Sequence, residues 1–572
     1  MTCILFGLGK HAQKVYWPYL SKEAQFNKIF IVDLASAQEQ IDTLVADSLV
    51  PCETIFLDDS IKHYRNLPTT VRNQLRDIVI SENITHAVIA TEPRAHDTYI
   101  EFCLDNGINI LCSKPLTIPM YTNTAVGASL IKENFQTLVK KWQASDVDLF
   151  EILPLKHTHT VYQYVRTLLE KVVETYQVPI NKINLSASYD YWQTPNNTLL
   201  QETQPYKYGY GALMHEGYHL IELLTFFTAI NKKHGFQEAY KTYHVSDYRP
   251  SDYFKYYGKA LNKHADNVDN NEIYQHLNII ENFGEFELAT VIDYVDDTKQ
   301  KITTANIQLK QASNTQQPMT NTKKDAYQEH LEISIGPFIT VKINSYTTDC
   351  MTEPYFDIVI FRNTTLLDGK AVERLQLSDI EPPFTSSLHT LDYHQAVSIE
   401  AFDNFFFHNQ SHSNILDHQE EIEILTALYQ QMAQNLDMSH FRFAVELIIE
   451  HNNKFLVCRR RPDVEVAPGL WNVPAGKVQY NESMDAAIIR EAKEETNLDI
   501  TDFSCLGYQF INKAHQRCVY TYHVKIDDIS NIQIDTGEFD QYAWIDASNV
   551  SEYSSLNPHI QAAIVQLSHT KS

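Results

Sequence analysis

Three glutamates set the chemistry at the C-terminal end of this chain. Glu491, Glu494 and Glu495 stand at i, i+3 and i+4 in MDAAIIREAKEET, a stretch whose pattern predicts a helix from Met484 to Thr496. That spacing puts three carboxylates on one face. Such a face repels itself unless a cation sits among the oxygens, and hard divalent cations such as Mg2+ or Mn2+ prefer oxygen ligands shared with phosphates. Upstream, a loop with Pro474 and Gly476 leads to Glu482 and then Arg490. A metal–pyrophosphate site is the chemistry this arrangement implies, against the plainer reading of a solvated acidic helix face.

The elements around the helix extend the picture. Phe441 to Glu450 alternates apolar and polar side chains and reads as a strand. His451-Asn452-Asn453 has the composition of a hairpin turn, and Phe455 to Arg459 reads as the returning strand. Further strands are expected near Phe503–Ile511 and Cys518–Ile526, with a last helix from Pro558 to Leu567. In the run Arg459-Arg460-Arg461, Arg460 is the choice for gripping phosphate, because guanidinium matches phosphate bidentately. Trp471 either stacks on a base or belongs to the core.

The spacing Gly476-x5-Glu482-x7-Arg490-Glu491-x-x-Glu494-Glu495 resembles the signature of the Nudix hydrolases. The resemblance implies a Nudix α/β/α sandwich over residues 441–572. It also implies a structural brace between Glu482 and Arg490, metal ligands and catalytic groups at Glu491, Glu494 and Glu495, and hydrolysis of a nucleoside diphosphate derivative. Ala475, Ala492 and Asn497 depart from the pattern. Asn497 replaces a glycine that ends the helix in a left-handed conformation, which Asn tolerates. Glu538, before Trp544, resembles a further acidic position of the family that acts as metal ligand or general base.

A second chemistry opens the chain. Thr2 to Phe6 is a short apolar strand, then Gly7-Leu8-Gly9-Lys10-His11-Ala12 leads into a helix expected to run through Leu20. Such a G-x-G-x-x-A turn lets a pyrophosphate approach a helix N-terminus. Lys28 to Val32 reads as the next strand and ends in Asp33, which is placed to accept from an adenosine ribose and to repel a 2′-phosphate. NAD is therefore expected rather than NADP. His86 to Ala90 reads as a strand, followed by Thr91, Pro93 and His96 at the start of a helix. Ile108 to Leu111 is a further strand, which delivers Ser113-Lys114-Pro115.

The Gly turn, the T-x-P-x-x-H segment and the Lys-Pro pair resemble the Gfo/Idh/MocA oxidoreductases. The likeness implies cofactor contacts at Gly7, Gly9, Ala12, Asp33, Thr91, Pro93, His96 and Lys114. Lys114 also becomes the lysine beside nicotinamide and substrate, although Ser113 stands where the family has glutamate. Gly209 to Glu222 resembles the family's glycine-rich turn and D-x-G-x-H helix. His219 then falls on the catalytic histidine and His215 on the usual aspartate. The same five residues, His215 to His219, also satisfy H-E-x-x-H, a zinc pattern. Gly217 within it and the lack of a third ligand argue against that reading.

Between about Tyr121 and Met432 the chain alternates strand-like and helical stretches. Strands are expected at Leu149–Leu155, Ile183–Tyr191, Phe286–Tyr294, Ile302–Leu309, Leu331–Ile335, Phe338–Ile343 and Phe356–Phe361. Ile230 to Asn278 reads as a polar insertion, Gln311 to Lys324 as a polar loop, and Leu391 to Met432 as largely helical. The resemblance implies an α+β open-sheet domain that binds a small sugar- or polyol-like substrate and pairs the chain into a homo-oligomer, with closing helices that pack back near the first domain.

The expected organisation is thus multidomain, α/β and α+β. A Rossmann NAD(P)-binding domain spans 1–120, a substrate domain 121–434, a linker 435–440 and the Nudix domain 441–572. The 572 residues carry a net charge of −26, which is a poor match for a nucleic acid polymer. Eight scattered cysteines without a C-x-x-C pair suit neither a disulfide framework nor a zinc knuckle. No apolar run reaches membrane-spanning length, no basic signal-peptide head opens the chain, and a reducing cytoplasm is the expected compartment. Two functional readings compete. In one, the chain is a bifunctional hydrolase and oxidoreductase. In the other, Ser113 and His215 mark a non-catalytic NAD- or sugar-sensing module that regulates the hydrolase. A third, in which the last domain is only a nucleotide sensor, sits poorly with an intact carboxylate face.

Overall fold

The computed structural model describes residues 1–59, 61, 67–153, 156–189, 195–200, 205–258, 280–281, 283–311, 326–348, 355–380, 401–411, 413–434, 443–464, 467–479, 482–512 and 516–569. The chain divides into two compact units. One comprises residues 1–57, 67–274 and 283–436; the other comprises 437–572 with the short segments 58–66 and 275–282.

In the first unit, six strands form one sheet: β1 (Thr2–Phe6), β2 (Lys28–Leu34), β3 (Cys52–Leu57), β4 (His86–Ile89), β5 (Asn109–Cys112) and β6 (Phe150–Ile152). Their order is β3-β2-β1-β4-β5-β6 and every pairing is parallel. Central strands of such a sheet are covered on both faces, which is why CILF and HAVI are apolar or buried throughout. The order reverses between β1 and β4. That creates a crevice at the strand C-termini, where the Gly7–Ala12 turn, Thr91 and Lys114 lie. The helix expected to reach Leu20 breaks at Tyr16, into Lys10–Val15 and Trp17–Leu20. The sheet also extends past residue 120, because β6 is its sixth strand.

A second sheet of the same unit contains β7 (Lys182–Tyr189), β8 (Tyr240–Tyr248), β9 (Glu287–Val295), β10 (Lys301–Gln311), β11 (Ala326–Ile335), β12 (Ile339–Thr348), β13 (Tyr355–Arg362) and β14 (Val372–Gln376). Its order is β14-β13-β12-β11-β7-β10-β9-β8. Only β7 and β10 run parallel; the other neighbours are antiparallel. The stretch expected to be a polar insertion is in part structural. The helix Tyr218–Lys233 runs into it, and β8 pairs with β9 along nine residues as the sheet's last strand. β8 is mostly half-exposed, so its polar composition is that of an edge. Residues 259–279, the linker 435–440, residues 312–324 of the expected polar loop and residues 391–400 of the expected helical segment lie outside the described residues. Among the later residues, Phe402, Phe405 and Phe406 join the core of the first sheet, so this helical segment does pack back on the first domain.

The second unit holds β15 (Phe443–His451), β16 (Lys454–Arg460), β17 (Trp471–Asn472), β18 (Ala475–Lys477), β19 (Phe503–Asn512), β20 (Gln516–Lys525) and β21 (Phe539–Ile545) in one sheet. β15 and β20 are parallel and the remaining pairs antiparallel. Asn452 and Asn453 both take positive φ, 49° and 61°, which makes the hairpin turn that matches strand twist. Alternation along β15 suggested one solvated face. Instead, all but its last residue are buried. The helix Pro558–His569 covers Ile448, Phe455 and Val457 with Ile560 and Ile564. The helix Met484–Thr496 packs on β15 and β18. No helix among the described residues is long and apolar enough to cross a membrane.

Candidate functional site

The helix Met484–Thr496 begins at Ser483, whose side chain accepts from the Ala486 N–H, and ends at Asn497 in the left-handed conformation, with φ 58°. Between these caps the acids sit in three different environments. Glu491 and Glu495 are buried, at 8% and 4% exposure, whereas Glu494 is exposed. Arg490 ties Glu491 and Glu494 to Glu482. Its Nε and one terminal nitrogen donate to the two oxygens of Glu482, at 2.7 and 2.9 Å. The other terminal nitrogen donates to Glu491 at 2.5 Å and Glu494 at 3.0 Å, and the Lys477 carbonyl takes a further bond at 3.0 Å. The Glu482–Arg490 brace is therefore present.

Gly476 faces this cluster. A Cβ there would lie 1.8 Å from Oε1 of Glu491, so only glycine lets the β18 backbone come this close. The neighbouring Ala475 N–H donates to Glu495 at 3.0 Å. Burial, with Glu491 and Glu538 nearby, pushes the Glu495 carboxyl up to about 9, and burial also raises Glu491. Two buried acids beside a third, exposed one form a donor set that fits a hard divalent metal. Among the described residues no three acidic, His or Cys side chains are already gathered as a metal cage.

Arg460 pairs with Glu538 at 2.9 Å, and its guanidinium stands over Phe539. Arg459 and Arg461 are engaged by Asp540 and Asp463, so the basic run is paired throughout. Trp471 packs edge-on against Tyr553 beside the apolar cluster under the last helix.

In the first unit, Gly7 has φ 86° and lies against Thr91, where a Cβ would meet the Thr91 backbone at 2.9 Å. Gly9 has open space around it, and Ala12 is core. Asp33 accepts from the Leu8 N–H at 2.7 Å and the Leu34 N–H at 2.8 Å, so its carboxylate is anchored to the glycine turn. This strand–turn–helix with an acid beside it fits a dinucleotide. Pro93 begins the short turn that leads into the helix His96–Asp105. His96 is buried between the Thr91 and Pro115 carbonyls, at 3.0 and 3.1 Å, and a neutral ring donates to one of them at a time. It therefore joins the loop after β4 to the loop carrying Lys114.

Lys114 donates to the His215 carbonyl at 3.0 Å, and burial lowers its ammonium. His215 and His219 lie in the turn and helix Leu213–Lys233, and burial followed by Lys114 pushes both imidazoles down to about 3. Nδ1 of His219 lies 3.7 Å from Glu222, whose other oxygen meets His157 at 2.8 Å. Sequence reasoning missed Glu222 as a partner of His219, although the i+3 spacing carried the signal. It also missed Glu285, which accepts from the Leu213 N–H at 2.8 Å and from the Tyr429 hydroxyl at 3.2 Å, pinning the start of the histidine-bearing turn.

Family models match this geometry at both ends of the chain. A NUDIX domain matches residues 440–565, and the oxidoreductase family with an NAD-binding Rossmann fold, Gfo/Idh/MocA, matches residues 1–140. The chain carries a Gfo/Idh/MocA oxidoreductase domain and a Nudix domain. The Nudix domain is similar to the nucleoside triphosphatase NudI of Klebsiella pneumoniae, 26% identical over 117 residues that make up 18% of this chain and 82% of that protein. The low-salt glycan biosynthesis protein Agl8 of Haloferax volcanii is 30% identical over 128 residues, 21% of this chain and 76% of its own. Among solved structures, a 3-ketoreductase from Actinomadura kijaniata in complex with NADP and TDP-benzene covers 75% of this chain and 96% of its own, at 12% identity and a TM-score of 0.45.

Proposed function

We propose that the chain is a two-activity enzyme. The Nudix domain hydrolyses the diphosphate bond of a nucleoside diphosphate derivative, and the oxidoreductase domain interconverts a hydroxyl and a carbonyl on a sugar- or polyol-like substrate. The observation that carries the first activity is the brace from Glu482 through Arg490 to Glu491, set against Gly476. It holds an acidic face at the edge of β18. Glu491, Glu494 and Glu495 would hold Mg2+ or Mn2+, which when bound neutralises phosphate charge and acidifies water. The chain's own residues do the rest. Arg490 fixes Glu491 and Glu494, the Ala475 N–H orients Glu495, and Arg460 presents a guanidinium able to take phosphate oxygens. Glu538 is positioned beside it as a further ligand or base.

In the oxidoreductase domain the supporting feature is a neutral His219 near Lys114. A neutral imidazole takes the hydroxyl proton, Lys114 polarises the same oxygen, and Glu222 beside Nδ1 favours the ring once it is charged. NAD, when bound, supplies the hydride acceptor at nicotinamide. Asp33, anchored at the glycine turn, favours NAD over NADP.

Phosphate release from a panel of nucleoside diphosphate derivatives with Mg2+, compared between wild type and Glu494→Gln, tests the hydrolase. Release that the variant retains in full refutes the assignment. The second reading, a sensing module in front of the hydrolase, rests on Ser113, whose hydroxyl donates to the Ile89 carbonyl where the family has a carboxylate. NADH formation with a polyol, abolished by Lys114→Ala, excludes it.

A further inference from the structure

The helix Met484–Thr496 sets three of the acids, but Glu538 comes from elsewhere, at the end of the segment 526–538 that joins β20 to β21. A helix leaves its last carbonyls without partners of its own. This segment takes two of them. The Gln533 N–H donates to the Thr496 carbonyl at 3.0 Å, and the Asp535 N–H to the Glu495 carbonyl at 2.9 Å. Asn497 adds a third bond, from its side-chain amide to the Asn531 carbonyl at 3.1 Å. The glycine of the Nudix signature could hold the same left-handed position but has no side chain to make that bond. Glu495 therefore acts twice. Its carboxylate stands among the acids, and its carbonyl anchors the arm at Asp535, shortly before Glu538.

At Asp535 the arm turns. The Asp535 carboxylate accepts from the Gly537 N–H at 2.8 Å, and its carbonyl accepts from the Glu538 and Phe539 N–H groups at 3.3 and 3.0 Å. Asp and Asn close such a turn with a side-chain oxygen; alanine has none. The turn returns Glu538 to Arg460, whose guanidinium meets it at 2.9 Å, and the Glu538 carbonyl takes the Arg461 N–H at 2.8 Å. Glu538 is near enough to Glu495 for its charge to help raise that carboxyl. The plainer reading of Asp535 is one more acid able to hold metal. Its bonds argue otherwise, because its N–H, its carbonyl and one carboxylate oxygen all serve the backbone of the helix end and the turn.

We propose that Asp535 is a positioning residue: it closes the turn that carries Glu538 to the acids, on an arm hung from the end of the metal helix by Glu495, Thr496 and Asn497. The requirement is for an acceptor at Oδ1, not for a charge. A side-chain amide supplies the same acceptor, so asparagine can replace the aspartate and alanine cannot. Without that bond the backbone from Asp535 to Glu538 gains freedom, and a shift of about 1 Å in a reacting group costs on the order of 100-fold in rate. The proposal rests on the hydrolase reading for what Glu538 does, and not for where the arm lies.

The test compares the full-length wild type with Asp535→Ala, Asp535→Asn, Asn497→Gly and Glu538→Ala. Two readouts are taken: hydrolysis of the nucleoside diphosphate panel with Mg2+, and amide hydrogen exchange without substrate. Asp535→Ala is expected to lower kcat at least tenfold and to speed exchange across residues 533–538 at least about tenfold, with the helix Met484–Thr496 unchanged. Asp535→Asn should stay within about threefold of wild type in both. Made on top of Glu538→Ala, Asp535→Ala should lower kcat by less than about twofold, because it acts through Glu538. Asn497→Gly keeps the helix end and should move both readouts the same way by at least about threefold. With Asp535→Asn, it decides the matter if Asp535→Ala does not fold. The proposal is overturned by an Asp535→Asn variant as impaired as Asp535→Ala, by an additive loss in the double variant, or by unchanged exchange in the arm. A fully active Glu538→Ala, or an Asn497→Gly variant with wild-type readouts, overturns it as well. A wild type that hydrolyses nothing refutes the hydrolase instead, and the exchange comparison still decides the placement of the arm.

Discussion

Replacing Gly476 with alanine separates the role of that glycine in the site from any role in folding. A Cβ at this position would lie 1.8 Å from Oε1 of Glu491, where ordinary contact begins near 3.4 Å. The carboxylate must therefore retreat by about 1.6 Å, since the glycine is backbone and the glutamate head is the part that can move. Gly476 is not among the glycines with positive φ, so alanine adds no backbone strain. The movement breaks the 2.5 Å bond from Arg490 and displaces one of three acids. A misplacement of about 1 Å in a catalytic constellation costs on the order of 100-fold in rate, and about 2.7 kcal/mol of barrier corresponds to that factor. Gly476→Ala should thus lower kcat by at least about 100-fold with Mg2+ and weaken Mn2+ binding measured without substrate. Its unfolding free energy should fall by about 1–3 kcal/mol with the cooperative transition kept, because a flexible side-chain end absorbs the clash at the expense of one charged bond. A variant with kcat within threefold of wild type and unchanged Mn2+ affinity refutes the reasoning. One that loses its cooperative unfolding transition places the glycine in folding instead.

Arg490→Lys keeps the charge but cannot bond both oxygens of Glu482 and two other acids at once; chemical denaturation should show a loss of roughly 2–4 kcal/mol in the Nudix domain, with hydrolysis falling alongside. Glu285 is raised by burial from 4.5 to about 7, so the folded state holds its proton more tightly. Its contribution is full below about pH 4.5 and is lost as pH rises through 7, an effect of about 3 kcal/mol that thermal melts between pH 5 and 8 should show in wild type and not in Glu285→Gln. His219→Asn and Lys114→Ala should each lower NADH formation by roughly 100-fold or more while NAD binding, followed by fluorescence, changes only a few-fold.

Those features of the site that depend on local spacing were legible in the chain. The helix Met484–Thr496 was readable to the residue, because its acids repeat at helical spacing and Asn497 takes the left-handed position at its end. The strand Thr2–Phe6 and the glycine turn were equally local. The brace was legible only through the resemblance to the Nudix signature, because Glu482 and Arg490 are too far apart to be simple helix neighbours. Elements whose signal depends on a neighbour were less legible. Tyr240–Tyr248 mixes Lys, Thr, His, Ser and Asp with aromatic and apolar residues without strict alternation, which in isolation reads as a polar loop. It becomes a strand because β9 pairs with it along its whole length. Phe150–Ile152 falls within the expected strand Leu149–Leu155, but its place in the first sheet comes from pairing with β5.

The buried acids show the deeper limit. Glu446, Glu450 and Glu285 sit in sequence among apolar residues, where an alternating pattern assigns a charged side chain to water. That rule holds for a strand with one open face. β15 has none, since the last helix covers one set of its side chains and the helix Met484–Thr496 packs on the strand as well. Once a strand is enclosed, the meaning of a glutamate in it reverses. It can no longer be the solvated side of an amphipathic element, and each such residue must be accounted for by a partner or by a task. Glu450 has His523, and Glu285 has the Leu213 N–H and Tyr429 at the start of the turn that carries His215 and His219. Glu446 has two neutral donors on one oxygen and, among the described residues, no cation, beside the strand that orients Glu495. A glutamate that the alternating pattern would discard as surface is therefore one whose buried partners only the fold reveals.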